Sequence, residues 1–212
     1  KFIFFLDDDD EFLVYKLETQ IVLLQESPRL GGCLAGFIRR DNDTMEDIVA
    51  SSNFPVVGDL VNFAIHGNFF TPMLCVRREA FLKTGGFDVI SRYQDRYWMI
   101  KALELGMSFI CLDKELHIMY EHDHHRITSS SADRSFQSLD TIKKRLSKNK
   151  SQFSNSQWNL FLIKDYRMRG VIYYTSDSYS RRLKSIPYFY KSYLLSKSLS
   201  DLKSIVKALV KT

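Results

Sequence analysis

Apolar and polar positions change period several times along the chain, and each change predicts an element. Five apolar residues, Phe2–Leu6, show no alternation and predict a strand buried on both faces. Five carboxylates, Asp7–Glu11, follow without a break. From Phe12 to Gln25, apolar residues at 13, 14, 17, 21 and 24 have the period of an amphipathic helix, and Ser27-Pro28 stops it. Gly31–Ile38 reads as a small apolar strand or loop, and Arg39–Asp43 as a polar turn. Residues 44–66, punctuated by Phe54-Pro55 and Gly58-Asp59, read as loop with a short helix. Gly67–Val76 predicts a strand, Arg77–Thr84 a short helix closed by Gly85-Gly86, and Asp95–Leu105 a helix stopped by Gly106. Met107–Leu112 and Leu116–Tyr120 predict two short strands. The polar loop His122–Thr128 leads to a joint at Ser129–Ser131, and the rest is helical, over 135–146, 158–168 and 183–210.

A chain of 212 residues that is 45% hydrophobic fits one domain, or one domain with an appendage, and can bury a substantial core. No run of about 18 apolar residues spans a bilayer, and no signal peptide is visible. Lys1 is not an initiator methionine and the first residues already form a core strand, so the chain reads as a piece lacking earlier residues. Cys33, Cys75 and Cys111 are widely spaced and odd in number, which argues against a disulfide framework and fits a reducing cytosol. Each reads as a small buried apolar residue. Charge splits sharply: residues 1–142 carry a net −8 and residues 143–212 a net +13. An acidic body and a basic tail facing an anionic partner follow from that split, with a boundary between residues 129 and 150.

Three groups of residues carry candidate chemistry. In an extended segment alternate residues share a face, so Asp7 with Asp9, or Asp8 with Asp10, can point at one ion. Hard divalent cations take such oxygen ligands and bridge them to phosphates. Asp95 sits in the first turn of its helix, where the dipole stabilises a carboxylate; it reads equally as a simple cap. His117, in a strand, reads as a satisfied structural residue. His122 and His124 are two apart and face one way if extended, which suits metal ligation as well as it suits a polar loop. In the tail, Leu195, Leu199, Leu202, Val206 and Leu209 form one stripe, and Lys203, Lys207 and Lys211 another. That pattern resembles an interfacial amphipathic helix; an ordinary helix packed on the domain or on a second subunit reads equally well.

The order Phe5-Leu-Asp-Asp-Asp-Asp-Glu-Phe12, then Cys75-Val-Arg-Arg-Glu-Ala-Phe-Leu-Lys-Thr-Gly-Gly-Phe-Asp88, then Gln94-Asp-Arg-Tyr-Trp-Met-Ile-Lys101 resembles glycosyltransferase family 2 over about residues 2–128. The resemblance implies an α/β fold of the GT-A type, Rossmann-like with a mixed sheet, lacking the N-terminal strands that hold the nucleotide base. It implies a catalytic portion over 1–128 and a basic helical extension over 129–212. Asp7 and Asp9 match the ends of the family's DxD motif, with Asp9 as the direct ligand of Mn(II) or Mg(II) and Asp8 contacting ribose or metal. Asp95 matches the base that deprotonates the acceptor hydroxyl. His122 matches a histidine near the metal and diphosphate, with His124 and His125 as alternatives. Lys101 stands where the family often has Arg.

The expected function is metal-dependent, inverting transfer of a hexose from a nucleotide-diphosphate sugar such as a UDP-sugar. The acceptor is a glycan or a lipid-linked molecule in surface polysaccharide synthesis. Expected partners beyond the substrates are an anionic membrane surface, met through 183–211, and a second copy in a homodimer. Nucleic acid is not expected, because the basic residues are spread without a motif. The location is cytoplasmic, with peripheral attachment to the inner face of the membrane. Two rivals stand: a haloacid dehalogenase-type phosphatase using Gly58-Asp59 as a second acid site, and a truncated, non-catalytic binding module.

Overall fold

The computed structural model describes residues 1–48, 55–121, 132–175 and 178–210. The chain divides into two compact units, Lys1–Arg126 and Ile127–Thr212. In the first unit, β1 (Phe2–Phe4), β2 (Glu11–Phe12), β3 (Leu30–Asp41), β4 (Leu74–Arg77) and β5 (Ser108–Glu121) form one mixed sheet in the order β1-β4-β3-β5-β2. β3 and β5 are parallel and every other pairing is antiparallel. A parallel pair needs a long crossover. Here it contains α2 (Leu60–His66), β4, α3 (Arg78–Lys83) and α4 (Gln94–Glu104). β3 is the central strand, and Gly31–Phe37 are buried, as a small apolar run covered on two faces should be. At Gly32 an added Cβ would come 2.6 Å from the Cys75 carbonyl oxygen, so only glycine lets β3 and β4 approach so closely here.

Several expected elements shift. Phe2–Leu6 is less buried than expected: pairing covers Phe2–Phe4, all half-buried, with β4 as partner, and Leu6 is exposed. The acid run that follows needs water, which draws the chain off the sheet. The turn expected at Arg39 comes after Asp41, because β3 stays paired with β5 up to Glu121. The two strands expected over 107–120 are one long β5, irregular where Leu112 and Glu115 face successive β3 residues. The strand expected over Gly67–Val76 is a turn of 3-10 helix, Thr71–Met73, followed by the short β4. Gly85, Gly86 and Gly106 have positive φ where helices α3 and α4 were expected to stop.

The largest departure is α1 (Lys16–Glu26). Its buried residues are Lys16, Gln20 and Leu24, while Val14 and Leu17 of the expected apolar face are exposed. Gln20 explains the rotation: its side-chain amide donates to the carbonyls of Cys33 and Met73, both at 3.2 Å, pinning that face to the sheet. Lys16 is carried inward with it. Its ammonium lies 5.1 Å from the Phe12 ring and has no hydrogen-bond partner among the described residues. Burial lowers its pKa to about 8. His117, stacked on Phe37 at 5.5 Å, is buried, and burial followed by the Lys16 charge lowers its pKa to about 3, so it is neutral. Its Nδ1 has no partner among the described residues, so His117 is not the fully satisfied residue expected. Cys33 and Cys75 are buried and face each other across β3 and β4; Cys111, expected to be buried, is exposed.

The second unit is helical: α5 (Ala132–Lys148), α6 (Asn155–Tyr174), α7 (Tyr179–Leu183), α8 (Ile186–Ser196) and α9 (Leu199–Val210). Ser154 and Gln157 form a reciprocal cap at the start of α6, so the Ser-x-x-Gln spacing sets that boundary. Phe136, Tyr173 and Tyr188 join α5, α6 and α8, with ring centroids 4.7 to 5.9 Å apart. The single helix expected over 183–210 is α8 and α9 after the end of α7, broken at Lys197, which adopts φ 54°.

Lys16 makes a testable statement. A lysine whose folded pKa lies below its unfolded value binds fewer protons when folded, so stability rises as pH climbs from about 8 towards 10.5. Lys16→Met is expected to stabilise the chain at pH 7 by on the order of 2 kcal/mol. It should also remove that part of the rise. Urea midpoints at pH 7 and pH 9.5 check both, and a less stable Met variant at pH 7 would refute the account.

Candidate active site

The acid run is a turn and not an extended segment, which corrects the expected side-by-side alternation. The Asp10 amide donates to the Asp7 carbonyl at 3.2 Å, closing the turn between β1 and β2. Its second half is engaged by β5. The Asp10 carboxylate accepts the Tyr120 amide at 3.3 Å, and Glu11 accepts the Tyr120 hydroxyl at 3.0 Å. Asp7, Asp8 and Asp9 remain open to solvent. The Asp7 carboxyl is pushed above its ordinary value by partial burial, then by the charge of Asp9, then by that of Asp8. Of the two pairs left open by spacing, Asp8/Asp10 therefore has one member committed to the strand. Asp7/Asp9 has both members in mutual repulsion.

Asp95 lies in the first turn of α4. Its carboxylate accepts the Arg96 amide at 2.7 Å, so part of the expected capping role is present. Burial nevertheless raises its pKa; the Arg96 amide and guanidinium act in the opposite direction, and the charge of Asp7 raises it further. The structure thus brings the acid turn and the start of α4 within electrostatic reach, across 88 positions of sequence. Two features missed in the sequence set this helix start. Tyr93, before the helix, holds φ 59° and ψ 32°, a left-handed conformation that a bulky residue adopts at a cost. Arg96 donates to the Ala64 carbonyl at 3.0 Å, satisfying a carbonyl in the last turn of α2.

An aromatic cluster fixes these pieces. Phe5, two residues before the acids, packs on Phe81 at 5.5 Å and on Phe87 at 5.2 Å. Both rings pack in turn on Trp98, at 5.7 and 6.1 Å, and Phe109 of β5 closes the far side at 6.0 Å. Trp98 is fully buried, and its indole donates to the Thr84 hydroxyl at 2.7 Å, which donates to the Phe81 carbonyl at 2.7 Å. Lys101 is buried too; it pairs with Asp88 and donates to the Gly86 carbonyl at 2.9 Å, clamping the Gly-Gly-Phe-Asp loop to α4. Lys101 thus has a structural use in this chain.

His122, His124 and His125 lie outside the described residues. Among the described residues no group of three or more His, Cys, Asp or Glu side chains is arranged to hold a metal. Magnesium does not require one, since it is commonly held by one or two carboxylates with water and substrate phosphates. The donor chemistry of Asp7 and Asp9 fits such an ion, whose charge would relieve the repulsion that raises Asp7. Asp59, offered above as a second acid site, accepts the Asn62 amide at 2.7 Å and caps α2. Its carboxylate is committed to that helix.

No family model matches the chain, and no curated protein matches it in sequence. Among solved structures, the crystal structure of S. aureus TarS 1-349 is similar, at 13% identity and a TM-score of 0.42. The match covers 98% of this chain and 54% of that one, so this chain spans about half its length. In the described residues no helix is long and apolar enough to cross a membrane.

Two substitutions test the geometry. A half-buried carboxylate with raised pKa loses stability as pH rises from 3.8 through its folded pKa, and the cost is in full force above it. Asp95→Asn is therefore expected to raise the thermal midpoint at pH 7.5 and to leave it unchanged or lower at pH 3.5. Equal shifts at both pH values would remove the electrostatic account. Thr84→Val strands the Trp98 indole N–H and is expected to cost about 1–3 kcal/mol in denaturant unfolding; no measurable loss would show the bond to be immaterial.

Proposed function

We propose that the first unit is the catalytic portion of an inverting glycosyltransferase that uses a nucleotide-diphosphate sugar. The observation that carries the reading is the ring cluster in which Phe5, just before the exposed acid turn, and Trp98, in the helix that half-buried Asp95 opens, pack on the same Phe81 and Phe87. The three sequence motifs that resemble glycosyltransferase family 2 support it, because they contribute the rings that hold the turn and the helix together. Asp7 and Asp9 would hold Mn(II) or Mg(II), with Asp8 beside them and His122 as a further ligand. A metal bound there would act as a Lewis acid on the departing diphosphate.

Asp95 acts on the acceptor. Its raised pKa makes it a stronger base than an ordinary aspartate. It takes the proton of an acceptor hydroxyl as that oxygen bonds to the anomeric carbon, and the bond from that carbon to the diphosphate oxygen breaks on the opposite side. One displacement gives inversion. The acceptor is a glycan or lipid-linked sugar and the donor a UDP-hexose, in surface polysaccharide synthesis at the inner face of the membrane. The phosphatase reading loses its second acid site to the α2 cap.

Asp9→Ala and Asp95→Asn in the full-length protein are expected to lower turnover by about 10²–10⁴-fold. The acid limb of the wild-type pH profile should lie above the ordinary aspartate value of 3.8. Titration calorimetry with UDP and manganese should show binding that Asp9→Ala weakens. Near-normal turnover in Asp95→Asn would remove the base. Phosphate release from a generic ester, without nucleotide-sugar turnover, would favour the phosphatase.

A further inference from the structure

In the second unit one buried carboxylate decides which way a helix faces. Asp201 of α9 is buried, and its carboxylate accepts both Arg167 nitrogens of α6, at 2.8 and 3.0 Å. It also accepts the hydroxyls of Ser192 and Ser196 on α8, at 2.9 and 2.7 Å. Burial alone would raise its pKa; Arg167 and the two hydroxyls more than offset this, and the group stays ionised. Four charge-assisted bonds fix the rotation of α9 about its axis. The inward face consequently centres on Asp201 and Ala208 with Leu202 and Ile205 half-buried, and one edge of the apolar stripe turns out: Leu199 is 70% exposed, Val206 56% and Val210 69%. At 3.6 residues per turn these three lie within about 40° of one another.

The opposite arrangement, with the stripe inside, is what ordinary packing of an amphipathic helix produces. The rotation set by Asp201 leaves an apolar ridge of Leu199, Val206 and Val210 in water, beside exposed Lys203 and Lys207. Exposed Leu194 and Leu195 extend the apolar surface on α8, next to Lys191 and Lys197. Asp201 is the sole acid over residues 186–210 and is consumed internally, so the outward charge of α8 and α9 is purely positive. Those two properties select the occupant. Like charges oppose pairing of this face with a second copy of itself, and nucleic acid would leave the leucines and valines unburied. A negatively charged bilayer surface accepts both.

We propose that α8 and α9 are an interfacial membrane anchor, lying in the headgroup region of an anionic bilayer with Leu199, Val206 and Val210 inserted and Lys203 and Lys207 at the lipid phosphates. α9, at 12 residues, is too short to span a bilayer and lies in its plane. The anchor is independent of the glycosyl-transfer reading.

The test is flotation of the whole chain with phosphatidylglycerol-rich vesicles against pure phosphatidylcholine vesicles. Wild type is expected to float with the first and not the second. Lys203→Glu with Lys207→Glu should weaken binding by at least roughly thirtyfold, as loss of about a factor of five per lysine implies. Leu199→Asn with Val206→Asn should abolish flotation while circular dichroism and the melting temperature stay at wild-type values, since both sites are exposed. Equal flotation of the asparagine variant, or no wild-type flotation at low salt, overturns the anchor. So does light scattering that shows a lipid-free dimer dissolved by the same variant. Donor turnover with a soluble acceptor reports separately on the glycosyltransferase reading and should not change in either pair.

Discussion

The packing of Phe5 between Phe81 and Phe87, with Trp98 behind them, is the constraint on which the candidate site depends. An acid turn on an edge strand has little to hold it: β1 is three residues long and paired through β4. Ring pairs of this kind contribute about 0.5–1.5 kcal/mol each beyond the area they bury. That is enough to define where β1 ends relative to α4. The hydrogen-bond chain from Trp98 through Thr84 to the Phe81 carbonyl gives the cluster a direction as well as a position. Phe5, two residues before Asp7, and Trp98, three after Asp95, pack on the same two rings, and those rings link the acid turn to α4.

Much of this was legible in the sequence because the relevant residues sit in short, chemically distinctive runs. The acid run, the Gly-Gly stop and the Trp-bearing helix each carry their own signal, and the mixed sheet was what the resemblance carried by those runs implied. Which acids the sheet engages was not legible in the spacing, although the resemblance singled out Asp7 and Asp9. Alternation in a strand predicts equal standing for Asp7/Asp9 and Asp8/Asp10. The outcome depends on Tyr120, more than a hundred positions away, engaging Asp10 and Glu11. The left-handed Tyr93 left no mark either, since nothing in residue type distinguishes it from a tyrosine in an ordinary turn.

The buried face of α1 departed from its apolar period for a different reason, and in α9, where the period left two readings open, the same kind of polar network sets the face. Apolar periodicity assumes that burial of hydrocarbon sets the rotation of a helix. In α1 the two amide bonds of Gln20 set it, bringing Lys16 inward and leaving Leu17 outside. In α9 the four bonds of Asp201 set it, bringing a carboxylate inward and leaving Leu199 outside. A buried polar group left without partners costs about 1–3 kcal/mol, and more if charged, comparable to the 1.5–3 kcal/mol from burying one aliphatic side chain. Once such a network can be completed, it competes with the apolar stripe for control of the helix. The two cases then diverge in consequence. In α1 the displaced charge is trapped in the core as an ammonium with no hydrogen-bond partner among the described residues, a strain on stability. In α9 the displaced hydrocarbon is turned outward beside Lys203 and Lys207, where it meets water and not the core.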